Sequence, residues 1–443
     1  MRLLKELEQQ DQSQIGGDLY RFAVSLYPIC RSITGDGIRR TLAAIGDLIP
    51  LRTIDVPTGT QVFDWTVPKE WNIRDAYIKD GSGSRIVDFH QSNLHVLNYS
   101  SPVKAVMPLS ELKPHLFTLP DRPDWIPYRT SYYQESWGFC LSHNQLNALP
   151  EGDYEVLIDS SLKNGHLTYG ESYIPGRSSD EILISCHACH PSLANDNLSG
   201  LAVAAFLARH LSGQDLRYSY RFVFLPGTIG AITWLARNQE SVRRVRHGLV
   251  LTCVGDPAGF HYKKSRRGNA EIDRVVAQVL RERGEPHEVL EFSPYGYDER
   301  QYCSPGFNLP VGCLMRSVWG AFPEYHTSAD NLEFISPAAL AESLRVCAAV
   351  FDVLEENRRY CNQNPYCEPQ LGRRGLYRNT GGDGIAVEIS ARLWLLNLAD
   401  GEHSLLDVAE RAGLPFAAIS DAAELLCREG LLSAANWGGN AAD

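Results

Sequence analysis

The sequence predicts an α/β fold in which a mostly parallel sheet is flanked by helices, with an inserted small β-rich domain and a C-terminal winged helix-turn-helix. Strand and helix patterns alternate between residues 166 and 360, which is typical of a parallel sheet covered by helices. Short alternating runs broken by proline and glycine fill residues 51–165. Two short amphipathic segments separated by Gly-Leu-Pro lie within residues 375–437.

The first two stretches of the chain differ in periodicity. Residues 1–50 carry apolar side chains at helical spacing around 19–27 and 38–48, and we expect these helices to join the core that residues 166–360 build. Residues 51–165 contain short strands instead, which predicts a separate β-rich domain inserted into that core. A length of 443 residues is sufficient for two to three domains.

Within residues 166–360 the predicted strands and helices follow one another regularly. The apolar run at 181–186 predicts a buried strand, and a helix begins after residues 196–197, either of which is suited to cap it. The same patterns predict strands at 220–225 and 248–254, and helices from about 229, over 270–283 and from Ser336 onward. Ligands of open α/β sheets bind outside the carboxyl ends of the strands, so polar residues that follow these strands are candidates for a site.

The C-terminal stretch has the pattern of a winged helix-turn-helix. Residues 404–407 resemble a capping box, and residues 429–432 follow the second short helix where a wing would begin. A DNA-binding regulator is therefore one hypothesis. Residues 400–430 carry seven acidic side chains against two arginines, whereas a phosphate-binding surface is basic. We expect this domain to contact protein, and a homo-oligomer is one form that such contact could take.

The composition of the chain limits the classes of partner and the cellular location that we expect. A net charge of −11 disfavours general attraction to nucleic acid or to an anionic membrane. No apolar run approaches the roughly 18 residues that a membrane-spanning helix needs. Eleven cysteines, together with an N-terminal segment that lacks the pattern of an export signal, indicate reduced thiols and a cytoplasmic location.

The most informative segment is residues 186–197, which holds two cysteines, two histidines and an aspartate between a predicted strand and a predicted helix. Cys-His-Ala-Cys-His matches the signature of covalent haem attachment, which the lack of an export signal disfavours. A structural zinc site would need a second ligand pair, and Cys361 and Cys367 are too widely spaced for one. Two interpretations remain: side chains that merely pack beside a loop, and a hydrolytic zinc site with His187 and Asp196 as ligands.

Three motifs carry a resemblance to a known family. His187 ends a strand, Asp-Asn-Leu-Ser-Gly occupies residues 196–200, and His-Thr-Ser-Ala-Asp occupies residues 326–330. In this pattern the chain resembles the zinc aminopeptidases of the phosphorylase/hydrolase-like fold. The resemblance implies that His187, Asp196 and His326 bind zinc. With its β insertion and winged helix, the chain also resembles an uncharacterised bacterial aminopeptidase-like group often associated with polysaccharide biosynthesis.

The chain departs from the family pattern at three places. Where the family has Glu-Glu-x-Gly after a strand, residues 227–230 read Gly-Thr-Ile-Gly, so both the family's general base and one ligand of its second zinc are absent. Cys189 stands where the family keeps an aspartate that orients the first histidine. Asp256 is displaced from the position of the family's strand-end ligand. The resemblance therefore implies one zinc ion rather than two.

The remaining candidate ligands come from the same segments. Three protein ligands plus water form the usual catalytic zinc site, which His187, Asp196 and His326 would complete. Asp330 is a candidate partner of His326 that would fix the tautomer of its ring. Further ligands or supporting groups are predicted at Asp256 and His190.

A hydrolase also needs a proton acceptor near the metal and a means to hold its substrate. Glu324, two residues before His326, and Glu299 are the candidate proton acceptors. Arg300 and Arg266, the latter in a basic run at residues 263–267, are candidates to bind a substrate carboxylate or phosphate.

These residues together predict a metal-dependent hydrolase. The expected reaction is cleavage of an amide or peptide bond in a small peptide or an acylated amino compound by a metal-activated water. If no base approaches the metal, the same scaffold would be a noncatalytic binding protein. A winged-helix DNA-binding regulator is the third hypothesis, and the acidic charge of residues 400–430 argues against it.

Overall fold

The computed structural model describes residues 3–377 and 386–435 of the chain. The chain folds into two compact units. The larger unit comprises residues 3–273 and 285–348, and the smaller unit comprises residues 274–284 with the described part of 349–443.

The strands, in chain order, are β1 Arg52–Pro57, β2 Gln61–Val62, β3 Trp65–Thr66, β4 Glu70–Lys79, β5 Arg85–Asp88, β6 Val103–Pro108, β7 Leu116–Phe117, β8 Phe139–Cys140, β9 Asp153–Lys163, β10 His166–Ile174, β11 Glu181–His187, β12 Ser219–Leu225, β13 Val245–Leu251, β14 Phe260–Lys263, β15 His287–Leu290, β16 Val311–Met315, β17 Arg359–Asn362, β18 Asp400–Ser404 and β19 Leu432–Ala434. The α-helices are α1 Leu3–Glu8, α2 Gln12–Leu26, α3 Asp36–Gly46, α4 Leu109–Leu112, α5 His143–Asn147, α6 Gly200–Leu211, α7 Ile229–Arg237, α8 Glu271–Arg283, α9 Glu299–Tyr302, α10 Pro337–Glu356, α11 Val387–Leu398, α12 Leu405–Ala412 and α13 Phe416–Arg428.

An eight-stranded sheet forms the centre of the larger unit, in the order β1-β10-β12-β11-β13-β16-β14-β15. Its four middle strands, β12, β11, β13 and β16, are mutually parallel, while β1, β10 and the β14–β16 pair add antiparallel neighbours. All seven residues of β11 are buried, which explains the apolar run Ile182, Leu183 and Ile184 at its centre. Helices α3, α6 and α7 pack on the sheet. The predicted α/β class with a parallel sheet core is confirmed.

The strand and helix predictions within this unit agree with the structure to within a few residues. The run at 181–186 is β11, the helix after residue 197 is α6, and the long helix expected from Ser336 is α10. A short turn over Ala194–Ser199 precedes α6, and Asn197 Oδ1 accepts a hydrogen bond from the Gly200 N–H at 3.1 Å. Asn197 therefore satisfies one free N–H of this helix start, which leaves Asp196 available for other contacts.

A second sheet, in the order β5-β4-β9-β6, lies within residues 70–163. Its core contains Ile78, Val156 and Phe139, each almost fully buried. The predicted insertion at 51–165 begins earlier than this sheet. Its first strand, β1, pairs with β10 and so belongs to the large sheet.

The smaller unit contains the helix-turn-helix pair α12 and α13 and a three-stranded sheet in the order β18-β17-β19. Ser404 caps α12 in a capping box with Asp407, as the sequence predicts. Arg274 of α8 donates to Asp407 at 2.5 Å and forms an ion pair with Glu410. The acidic residues of α12 are thus paired inside their own unit.

Among the described helices, none combines the length and apolar character required to cross a bilayer.

Candidate metal centre

The carboxyl ends of the parallel strands bring the polar motifs together. His187 is the last residue of β11, residues 227–228 follow β12, and residues 253–256 follow β13. The chain that leaves β16 reaches His326 eleven residues after the strand ends. Because these four strands are parallel neighbours, their ends lie on one edge of the sheet, where ligands bind in open α/β folds.

Three imidazoles converge on the carboxylate of Asp196. His187 Nε2 lies 2.8 Å from Asp196 Oδ1, and His326 Nε2 lies 3.0 Å from Oδ2. His190 Nδ1 lies 3.3 Å from Oδ2. The candidate ligand atoms of His187, His190 and Asp196 all lie within 4.8 Å of one another. The structure therefore brings together the three predicted ligands and adds His190, which the sequence proposed as a further ligand.

Burial sets the charge of this group. Burial alone would raise the pKa of Asp196, but the neighbouring His190 and His187 hold it well below its ordinary value. Burial lowers the pKa of His187, so its ring favours the neutral form. Burial also lowers the pKa of His326. His190 differs from the other two: although burial opposes the charged form, the Asp196 carboxylate raises the pKa of His190 well above its ordinary value. The ionised Asp196 and the neutral His187 and His326 have the protonation states that a divalent metal ion requires of its ligands, whereas His190 would have to release a proton to bind one.

Asp330 supports Asp196 rather than His326. Its two carboxylate oxygens accept hydrogen bonds from the backbone N–H groups of Asn195, at 2.6 Å, and Asp196, at 3.0 Å. The predicted role of Asp330 as the partner of the His326 ring is therefore corrected, because the side chain points at the backbone of the turn before α6. Its complete burial raises the pKa of Asp330 to about 8.

Asp256 supports the same turn from the other side. Its Oδ2 accepts from Asn195 Nδ2 at 2.7 Å, and its Oδ1 accepts from Ser317 Oγ at 2.9 Å. Among the described residues, no ion pair or hydrogen bond joins Asp256 to the histidines. These contacts favour a role for Asp256 in supporting the turn before α6 over the alternative role as a metal ligand.

Tyrosines enclose the histidines. The Tyr297 ring stacks on His187 with centroids 4.8 Å apart, and Tyr325 stacks on His326 at 4.0 Å. Tyr128 meets His190 and His326 edge-on, each at 5.1 Å. These contacts fix the planes of the three imidazoles.

The loop at residues 227–228 lies beside His187. A Cβ atom placed on Gly227 would be 3.6 Å from the Cβ of His187, so a side chain at this position would approach that histidine. The backbone N–H of Thr228 donates to Asp298 Oδ1 at 2.7 Å. Asp298 is only 2% exposed, and its burial raises its pKa to about 7. A buried carboxyl group is thus anchored to the loop from which both family glutamates are missing.

The two predicted proton acceptors lie elsewhere. Glu299 Oε1 lies 2.5 Å from Lys263 Nζ, and both side chains are almost completely buried. This ion pair occupies the carboxylate, so the contacts of Glu299 do not favour it as the proton acceptor. Glu324 lines a cavity with Trp125 and Glu333, and no described hydrogen bond or ion pair joins its carboxylate to the histidines or Asp196.

The two predicted substrate arginines also have other contacts. Arg266 Nη1 donates to Asn308 Oδ1 at 3.1 Å, away from the histidines. Arg300 Nη2 donates to Thr228 Oγ1 at 3.4 Å, so it reaches the 227–228 loop rather than an open surface. We expect Arg300 to support this loop.

Sequence reasoning missed Asp298 and the three tyrosines. Asp298 and Tyr297 lie one and two residues before Glu299, and Tyr325 lies one residue before His326, so the sequence identified the correct segments. Tyr128 comes from the β-rich stretch, where no motif marks it.

The central sheet and the histidines at its edge define the aminopeptidase-like fold class. A zinc aminopeptidase from Bacillus subtilis superposes with a TM-score of 0.55 at 13% identity, covering 76% of this chain and 93% of that one. At this identity the likeness establishes the fold alone.

The chain belongs to the DUF4910 family, described as a domain of unknown function, whose model matches residues 20–357. A winged helix-turn-helix model matches residues 358–434. A Clostridium acetobutylicum protein named provisionally for polysaccharide biosynthesis and for an aminopeptidase-like domain is 51% identical over 424 residues, which cover 96% of this chain and 98% of that protein. A crystal structure from the same organism, described provisionally as a peptidase, superposes with a TM-score of 0.93 at 49% identity, covering 97% of this chain and all of that one.

Proposed function

We propose that this protein is a metal-dependent hydrolase that binds one zinc ion and cleaves an amide bond in a small peptide or an acylated amino compound. The observation that carries the proposal is the convergence of three imidazole nitrogens on the Asp196 carboxylate. A resemblance in fold to a zinc aminopeptidase and the name of the 51% identical relative support the same class.

The donor set fits zinc. Imidazole nitrogens and a carboxylate oxygen are ordinary zinc ligands, and the hydrogen-bonded support of the Asp196 backbone by Asp330 would hold the carboxylate in place. His187, Asp196 and His326 would hold the ion, with His190 as the fourth candidate. When bound, zinc polarises a carbonyl group and lowers the pKa of a water molecule to about 7.

We assign proton transfer to Asp298. Asp298 takes the part of the general base that the Glu-Glu pair supplies in the zinc aminopeptidase pattern, because the Thr228 N–H of the 227–228 loop holds its carboxyl group. Burial raises its pKa to about 7, and general-base catalysis is most efficient when the pKa of the base lies near the working pH. Tyr297 directly precedes Asp298, and its ring stacks on His187, so Asp298 follows a residue that contacts a candidate metal ligand.

The winged helix has contacts that disfavour a DNA-binding role. In helix-turn-helix proteins, the N-terminal residues of the second helix approach the bases. Here the second helix is α13, and the N–H of its first residue, Phe416, donates to Glu282 at 2.7 Å. Together with the Arg274 ion pairs of α12, this contact supports a role in packing within the smaller unit. We therefore propose that nucleic acid is not a partner.

The thiols support a cytoplasmic location. All eleven cysteines lie within the described residues and none forms a disulfide. Unpaired cysteines in this number fit a reducing compartment.

The experiment is a zinc titration followed by a hydrolysis assay on a panel of aminoacyl anilides and N-acyl amino acids. Wild-type protein should retain about one zinc ion per chain after gel filtration, the stoichiometry of a single catalytic site. His187→Ala should lose it, whereas His287→Ala, an exposed histidine outside the cluster, should keep it. Zinc retained by His187→Ala would refute the metal site. Zinc bound without hydrolysis of any member of the panel would favour a noncatalytic binding protein.

A further inference from the structure

The four candidate ligands differ sharply in exposure. The side chains of His187 and Asp196 are 1% and 0% exposed, and that of His190 is 13% exposed. The side chain of His326 is 33% exposed. A small molecule therefore approaches the cluster from the side of His326.

A cavity of about 350 Å³ opens on that side. Its lining includes His326, and Tyr128, Tyr325 and Phe322 contribute aromatic surface. The charged residues of the lining are Arg122 and Arg129, and no described Asp or Glu belongs to it. The volume is within the range of small-molecule sites, which combine apolar walls with a few fixed polar groups.

Arg129 is the better placed of the two arginines. Within residues 3–377 and 386–435, no ion pair or side-chain hydrogen bond occupies its guanidinium group. Arg129 lines the same cavity as His326, so the guanidinium group and the exposed candidate ligand share one opening. The guanidinium of Arg122 lies over the Trp125 ring, 4.9 Å from its centroid.

We propose that this cavity binds a substrate that carries a carboxylate or phosphate group, with Arg129 and Arg122 holding the anion and Phe322 and Tyr325 contacting its apolar part. The proposal rests on the proposed function, because it places the bond to be cleaved at His326. It replaces the substrate role that the sequence suggested for Arg266 and Arg300.

The charge distribution makes the cavity selective. The whole chain has a net charge of −11, which repels anions, so two arginines beside the exposed ligand provide a local exception. Guanidinium groups bind carboxylates and phosphates through paired hydrogen bonds, which neutral amides cannot match. Glu324 and Glu333 line the neighbouring cavity. Their negative charge repels an anionic substrate, which therefore binds more favourably beside Arg129.

The test is calorimetric binding to zinc-loaded protein with matched probes. N-acetylphenylalanine and N-acetylphenylalanine amide differ in one charge, and phenyl phosphate supplies the phosphate. We expect the anionic probes to bind at least about 10-fold more tightly than the neutral amide, a ratio typical of one charge-assisted contact. Whichever of the two anions binds more tightly identifies the group that the site prefers, and either order supports the proposal.

Variants separate the arginines from the metal. Arg129→Gln should remove the preference for anions, and Arg122→Gln should reduce it, while zinc content stays unchanged. Arg266→Gln, an exposed arginine outside the cavity, should keep the wild-type preference. Equal binding of charged and neutral probes, no binding of either, or a preference that persists in Arg129→Gln would overturn the proposal. Zinc content reports on the metal site independently in every case.

Discussion

Two loops at the same edge of the sheet have diverged differently from the zinc aminopeptidase pattern. The segment 186–197 keeps its histidine and its aspartate, and the structure joins them to His326 at hydrogen-bonding distance. The loop at 227–228 contains neither glutamate of that pattern. Its backbone binds the carboxylate of Asp298 instead. Under the proposed function, metal ligation and proton transfer are separable: the first loop supplies candidate ligands, whereas the carboxyl group at the second loop comes from another part of the chain.

The largest expected effect concerns the first loop. Asp196→Asn removes the charge on which three imidazoles converge while keeping the shape of the side chain. We expect zinc affinity to fall by more than about 100-fold, beyond the 10–100-fold typical of losing an outer partner. Isothermal titration with zinc measures it. Asp298→Asn is the matched control because it removes a buried carboxylate from the second loop, and it should bind zinc as the wild type does.

The second prediction concerns the second loop. Asp298→Asn should lower the rate of hydrolysis by about 100-fold or more, the usual contribution of a general base. In the wild type, activity should decline as the pH falls through about 7, because the raised pKa of Asp298 leaves its carboxyl protonated below that value. A rate profile measured against pH on any substrate found in the panel checks both. An unchanged rate in Asp298→Asn with bound zinc would remove Asp298 from the mechanism.

A smaller effect should follow from weakening the support of the first loop. Asp330→Asn loses the carboxylate that accepts two backbone N–H groups, from Asn195 and Asp196. We expect zinc affinity to fall by about 10–100-fold, as for other groups that orient a metal ligand. Competition with a fluorescent chelator measures this change. If Asp330→Asn bound zinc as tightly as the wild type, the turn before α6 would hold Asp196 without help from Asp330.

The smallest effect is on stability. The folded pKa of Asp298, about 7, lies above the ordinary value of 3.8, so the folded state favours the protonated form. The stability associated with that form is present below the ordinary pKa and is lost as the pH rises through about 7. Asp298→Asn cannot ionise, so its melting temperature should exceed that of the wild type by more at about pH 8 than at about pH 5. Thermal unfolding at both pH values measures the difference, and an equal difference at the two would contradict the assignment.

The sequence predicts the strands better than the contacts at their ends. Short apolar runs within β11, β12 and β13 mark these strands because both faces of a central parallel strand are largely buried. Motif spacing also brings His187, Asp196 and His326 together. Motif spacing does not show which of Asp298 and Glu299 is available as a proton acceptor. That depends on the ion pair between Lys263 and Glu299, which only the folded structure reveals. Nor does the spacing separate Arg129 from Arg266, since a pocket is assembled from loops that follow no periodic pattern.

The position of the metal tests the central claim most directly. Crystals of the zinc-loaded protein, measured at the zinc absorption edge, should show one anomalous peak at about 2.0–2.2 Å from Asp196 and from the nitrogens of His187 and His326. The 227–228 loop should contribute no ligand to it. No peak among these residues would contradict the metal site. A second zinc bound beside that loop would contradict the separation of ligation from proton transfer.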